Sequence, residues 1–340
     1  MKKILAFSLI AFIFLACKTK KNDPDPAPAT TTPTNDCPAA SCVYPDTSFQ
    51  SSGSGPKLIF VFKFDSTQAR LNAVGQPTPM PSGHAGFSPV FNRMASHYIE
   101  LAQGDATPLG GGTVLYHANE TSCGGSKAIK FCESTVVREG VPFYSVPLSV
   151  LGAGTYKWLR ISISYQNYDI PYKSSSLPGT QWGTVASFVG YSTYVPKFKV
   201  KTQDWIPSSP SPVNGPNVNH PQGYWAFETA YIAGWPQNNG HYMIDGQAPS
   251  GATTVVNPLF ATSPIPAGSC VVTGQFVNSS GNPQNLTITG TETQDITITV
   301  SLSTNKSFEW QEVVADGYYQ PDAGEVPVDM GVRGMIPKVQ

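Results

Sequence analysis

The sequence predicts an all-β fold, a β-sandwich of mainly antiparallel strands with long Pro/Gly-rich loops, on three observations. Glycine and proline number 31 each among 340 residues, nearly a fifth of the chain where ~12% is usual, so turns are dense. Hydrophobic residues reach 40% and aromatic ones 11%, enough for a core, which excludes general disorder. Short apolar runs recur between Gly, Pro and Asn with no window of helical period, the punctuation of a sandwich and not of βαβ units. Charged residues are only 13%, about half the ~25% of an ordinary soluble domain. A net charge of −1 offers no basic field for phosphates, so the sequence excludes nucleic acid as a partner.

The elements follow in order. Met1-Lys2-Lys3 and the apolar run 4–16 read as a signal peptide over residues 1–16, because 13 apolar residues are too few for a membrane-spanning helix. The run ends in Phe14-Leu15-Ala16-Cys17, a lipobox-like site that predicts lipidation of Cys17 and an outer-membrane lipoprotein of a Gram-negative bacterium, facing the periplasm or the cell surface. The membrane is then a partner through an N-terminal lipid anchor. Residues 17–56 contain Asp-Pro-Asp-Pro-Ala-Pro-Ala and a Thr/Pro/Asn tract, the composition of an extended tether.

One sandwich domain over residues 57–340 is expected next, opening with Lys57-Leu-Ile-Phe-Val-Phe-Lys-Phe64. Further strands are predicted at 96–101, 112–117, 143–148, 156–165, 185–195, 197–201, 224–232, 270–277, 285–289, 295–302 and 307–313. The segment 171–222 is rich in proline and predicts a loop-rich excursion. In Ile296-Thr-Ile-Thr-Val-Ser-Leu302 strict alternation predicts one face in the core and a wet Thr/Ser face.

After Cys17 the cysteines are Cys37, Cys42, Cys123, Cys132 and Cys270. An oxidising compartment favours structural disulfides, with Cys37 and Cys42, and Cys123 and Cys132, as the local pairs and Cys270 either left over or exchanged with Cys42 or Cys132. No Cys-x-x-Cys occurs, which argues against a thiolate zinc site.

No catalytic motif is present. Gly-x-Ser-x-Gly, His-Glu-x-x-His, a Walker loop and Gly-x-Gly-x-x-Gly are all missing, Gly110-Gly111-Gly112 lies between two strand candidates, and a non-enzymatic protein is expected. The carboxylates Glu309, Glu312, Asp316, Asp322, Glu325 and Asp329 lack the spacing of a calcium loop and read as a solvated edge.

Two constellations carry possible chemistry. If Leu101 pairs with Thr113, then Ile99 faces Leu115 and His97 faces His117, with Cβ atoms ~5 Å apart, a spacing that suits two imidazoles on one copper or zinc ion. The second is aromatic: Tyr224, Trp225, Phe227, Tyr231 and Trp235, followed by His241. Such a cluster is core, or a platform for sugar rings, to which Trp182 and Trp205 could add.

The order of blocks resembles the MbnP-like copper-binding proteins. Phe62 and Phe64 in the opening run, Tyr98-Ile99-Glu100-Leu101, Ala153-Gly154-Thr155-Tyr156 before a long strand, Tyr224-Trp225-Ala226-Phe227 with Tyr231, and the 296–302 strand carry the likeness. In that family the aromatic block reads Tyr/Phe-Trp-x-Trp-x-x-Gly-Tyr. Trp225 and Tyr231 match it, Phe227 replaces the second Trp, and Ala230 replaces the Gly. The resemblance implies a periplasmic or lipid-anchored β-sandwich that binds copper through histidine, with an oxidised tryptophan made by a diheme peroxidase-like partner. Taken together with the strand register above, the metal residues expected are His97, His117, His241 and Trp225. The alternatives are a surface lipoprotein that stacks glycans on Tyr224, Trp225, Trp235, Trp182 and Trp205, or a structural, partner-binding envelope module.

Overall fold

The computed structural model describes residues 53–72, 75–207, 219–232, 234–249, 264–266 and 268–340, all within one compact unit, Cys37–Gln340. The signal peptide, Cys17, nearly all of the tether, Cys37 and Cys42 lie outside the described residues.

Eleven strands organise the fold: β1 (Lys57–Asp65), β2 (Val90–Ala102), β3 (Thr113–His117), β4 (Pro142–Pro147), β5 (Trp158–Tyr172), β6 (Gln181–Phe188), β7 (Tyr224–Thr229), β8 (His241–Gln247), β9 (Cys270–Gln275), β10 (Ile296–Ser303) and β11 (Met335–Val339). The chain is all-β, with several mostly antiparallel sheets. A four-stranded sheet runs β11-β10-β1-β4, and its β1–β10 pair is parallel, with Phe60 beside Ile298 and Phe62 beside Val300. The large sheet runs β8-β7-β6-β5-β2-β3 from a short edge strand, Gln237–Asn238.

The 15-residue β5 is the spine of the large sheet. It pairs with β2 along its length, while β9 covers the other edge at its start and β6 takes over from Tyr165. The sandwich core forms where the sheets face each other. Leu58, Phe60, Phe62, Ile298, Val300 and Leu302 come from one, Ile99, Leu101, Leu159, Ile161 and Ile163 from the other. Phe62 stacks on Phe143 at 3.8 Å between centroids. Alternation puts these side chains on one face of each strand, and each fully buried aliphatic or aromatic group contributes about 1.5–3 kcal/mol.

β7 is buried on both faces. Tyr224 and Ala226 pack with Phe188 and Phe198, whereas Trp225 and Phe227 pack with Tyr172, Phe308 and Trp310.

Several expectations need correction. Within the loop-rich 171–222 segment the strand expected at 185–195 is β6, which starts earlier, at Gln181, and lies in the interior of the large sheet, while β5 runs on through Pro171 to Tyr172. The 296–302 strand has its predicted core face, but the opposite face is not uniformly wet. Ser301 is buried, and its hydroxyl accepts a 2.7 Å hydrogen bond from the Gln68 amide. Glu309 and Glu325 are buried rather than on a solvated edge. Glu325 accepts the backbone N–H groups of Val313, Val314 and Gln320 at 3.0, 3.1 and 2.6 Å. Cys123 and Cys132 are both disulfide-bonded, whereas Cys270 is a free thiol in the core, pushed up to about 12 by burial.

Candidate metal centre

The β2–β3 hairpin builds the site. Leu101 pairs with Thr113 as the sequence predicts, but Ile99 then pairs with Tyr116 and Tyr98 with His117. Leu115 is passed over as a bulge in β3, and the β2–β5 ladder skips His97 between Ser96 and Tyr98. Bulges re-aim side chains. Here His97 and His117 are not directly opposite, yet their rings meet edge to face with centroids 4.8 Å apart. The Ala118 N–H donates to His97 O at 2.7 Å and secures the crossing.

A buried carboxylate holds this register. Glu100 accepts the N–H of Gly110 at 3.0 Å and of Gly112 at 2.7 Å, and Arg160 donates to it at 3.4 Å. Arg160 also donates to Pro108 O and Thr107 O, at 2.9 and 2.5 Å. The glycine run is therefore a loop, and its N–H groups cradle a carboxylate of this same chain. A Cβ on Gly112 would lie 2.3 Å from Leu101 O and 2.7 Å from Glu100 Oε1, so backbone must shift. Gly112→Ala is expected to cost about 1–3 kcal/mol of stability, measured by urea denaturation. An unchanged midpoint would show that Glu100 does not fix the hairpin.

Glu120 completes the centre. Three residues beyond His117, it opens a two-residue strand, Glu120–Thr121, that pairs with Ala128–Lys130. Its Oε1 lies 3.2 Å from His97 Nε2 and 3.4 Å from His117 Nε2, and it accepts the Tyr191 hydroxyl at 2.8 Å. The Lys127 ammonium pairs with Oε2. One ligand atom from each of His97, His117 and Glu120 falls within 4.8 Å of the others. Bonds of ~2.0–2.1 Å place two ligands of one ion at most ~4 Å apart, so the set needs to contract by under about 1 Å.

The electrostatics suit cation binding. Burial alone would raise the Glu120 carboxyl, but hydrogen bonds from His117, His97, Lys127 and Tyr191 outweigh it and hold it far below the usual range. Burial lowers His97, opposed by its hydrogen bond to Glu120, and the charge of His117 lowers it further. A neutral imidazole and an ionised carboxylate are the forms that ligate metals. His97 Nδ1 is buried with no hydrogen-bond partner, a cost that a further polar ligand at the site could remove.

The other predicted residues go elsewhere. His241, at the start of β8, pairs through Nδ1 with Glu228 Oε1 at 3.1 Å. Glu228 in turn accepts the Lys201 N–H at 2.7 Å and the Thr202 hydroxyl at 2.6 Å. Trp225 is buried over Gly246, and its strand is three positions from β2 across the sheet, roughly 14 Å at the usual strand spacing. His241 and Trp225 are therefore not part of the cluster.

The glycan platform also loses members. Tyr224 and Trp225 are buried, and the Tyr224 hydroxyl donates to Asp245 Oδ2 at 2.6 Å. Trp235 is half-buried against Phe227, and Trp205 is half-buried with its Nε1–H donated to Asp245 Oδ2 at 3.0 Å. Trp182 alone of the five is well exposed, at 54%.

Sequence reasoning missed Glu120. The His117-x-x-Glu120 spacing is the one signal that could have found it. The chain matches no family model, no curated protein and no solved structure.

Proposed function

We propose that this chain is a lipid-anchored cell-envelope protein that binds a transition-metal ion, copper(II) foremost, through His97, His117 and Glu120. The observation that carries the reading is the convergence of two imidazoles and one carboxylate within 4.8 Å, with the buried imidazole held neutral and the carboxylate held ionised. This donor set is of the type that takes copper(II) or zinc, and it contains no soft thiolate. The resemblance to MbnP-like proteins favours copper over zinc, and the Leu15-Ala16-Cys17 site supports the anchor. Lys127, 60% exposed on Glu120, is the internal cation that an incoming ion would displace.

The test is copper content of the purified chain beside a His97→Ala, His117→Ala double variant and Glu120→Gln. One copper per chain is expected in the parent and none in the double variant. Glu120→Gln should bind at least ~10-fold more weakly, since even outer-shell losses reach that scale. Equal copper in parent and double variant would reject the site.

A further inference from the structure

Three protein donors are the complement of an open metal site, in which a ligand from solution takes the remaining position, whereas closed structural sites use four. Among the described residues the cluster holds three such side chains, His97, His117 and Glu120. Its exposure is uneven. His97 is fully buried and the Glu120 side chain is 11% exposed, whereas that of His117 is 33% exposed and Lys127, on Glu120, is more exposed still. Solvent therefore reaches the cluster along His117 and Lys127.

The backbone that carries Lys127 is tied down on both sides. Ala128 and Ile129 pair with Thr121 and Glu120. Before Lys127, the Asn219 amide donates to Ser126 O at 2.9 Å and to Ser126 Oγ at 3.0 Å, and it packs so closely that a Cβ on Gly124 would fall 2.1 Å from it. Lys127 thus stays beside the centre when the Glu120 carboxylate turns to an ion. The Tyr191 hydroxyl, which donates to Glu120 Oε1 at 2.8 Å, keeps that carboxylate in place without Lys127.

Charge decides what the open position takes. Ligating imidazoles are neutral, and the Glu120 carboxylate and Lys127 ammonium cancel each other. A divalent ion then brings positive charge that no group of the cluster offsets, and a bound cation is often the largest local charge in its site. We propose, resting on the metal reading above, that the ion held by His97, His117 and Glu120 keeps one coordination position for a small anion from solution, and that the Lys127 ammonium holds this anion against the ion. An ammonium has three donors, and its charge-assisted hydrogen bonds to an anion are roughly twice as strong as neutral ones. The anion enters as a ligand and displaces solvent, with no bond within it broken and no electron transferred.

Titration of the copper(II)-loaded full chain with azide in chloride-free buffer tests the proposal, followed by the azide-to-copper charge-transfer band and by electron paramagnetic resonance. One azide per copper is expected. Lys127→Gln, at a 60% exposed position, should still hold one copper per chain and bind azide at least about tenfold more weakly, the scale of a lost outer-shell partner. Lys127→Arg, which keeps a charged donor, should fall between. One copper per chain with no azide band would overturn the anion site and leave the metal reading standing. Equal azide affinity in the parent and Lys127→Gln would do the same. No copper in the parent would overturn both.

Discussion

Glu309→Ala is expected to destabilise the protein by about 3–5 kcal/mol, the cost of removing one partner from a buried ion network. Glu309 is the only acid that touches both buried guanidiniums among the described residues. Its Oε2 meets Arg70 Nη2, and Arg333 Nη2 lies 3.0 Å away. Its Oε1 lies 2.6 Å from His84 Nδ1. Arg333 has a second acid, Asp329, at 3.0 Å, but among the described residues no second carboxylate lies at ion-pair distance from Arg70. Burial already lowers Arg70, as does the charge of Arg333, and Glu309 pulls it back up. The Nε atoms of both arginines are buried without a hydrogen-bond partner, and beyond Glu309 the Arg70 guanidinium donates only a long 3.4 Å bond to Pro79 O among the described residues. Urea denaturation near neutral pH checks the prediction. Glu309→Gln, which retains acceptor oxygen and loses charge, should recover part of the loss. A change under about 1 kcal/mol for Glu309→Ala would mean that water reaches the arginines.

The second large effect is a loss of stability in mild acid that traces to His220. This imidazole is buried, stacks on Tyr224 with centroids 4.1 Å apart, and leaves Nε2 without a partner. Burial pushes it down to about 4, with the charge of Asp245 opposing, whereas in the unfolded chain it titrates near ~6.5. Below ~6.5 the unfolded chain takes up a proton that the folded one refuses. The contribution is therefore fully present above ~6.5 and is lost as pH falls towards about 4, to a total of about 3 kcal/mol. Carboxylates held low, such as Glu120, also lose stability in acid, so the parent curve alone does not isolate the histidine. The informative quantity is the gap between parent and His220→Gln. His220→Gln loses the stacking at every pH, so the gap should narrow by about 3 kcal/mol between about pH 7.5 and about pH 4. A constant gap would place His220 in contact with solvent.

The strands were legible wherever a short apolar run met Gly, Pro or Asn, as in β1, β3 and β10. β8 was not, because His241-Tyr-Met-Ile-Asp-Gly-Gln247 has no clean alternation, and its pairing with β7 decides it. The nearness of His97 and His117 could be read from period-two patterning, although the route could not. Direct opposition was expected, and two bulges achieve the meeting instead. Bulges answer to packing from β5 and to the Glu100 clamp, neither of which is local in sequence. Glu309 sits between Phe308 and Trp310 and looks like the wet position of an alternating strand. It is buried because Arg70 and Arg333 arrive from 239 and 24 residues away. Carboxylates that become structural through such distant partners leave no local trace.

The parallel pairing of β1 with β10 sets a schedule on folding. One edge of the first strand pairs with β4, but the other stays open until residues more than 230 positions later have been synthesised, as in the Lys57 N–H bond to Asp295 across 238 residues. Closing so long a loop precedes any gain from the contact, and topologies dominated by such pairings fold slowly. A nascent chain that stops before Ile296 therefore carries β1 with one edge unpaired, Phe60 and Phe62 without Ile298 and Val300 beside them, and a strand edge suited to self-association.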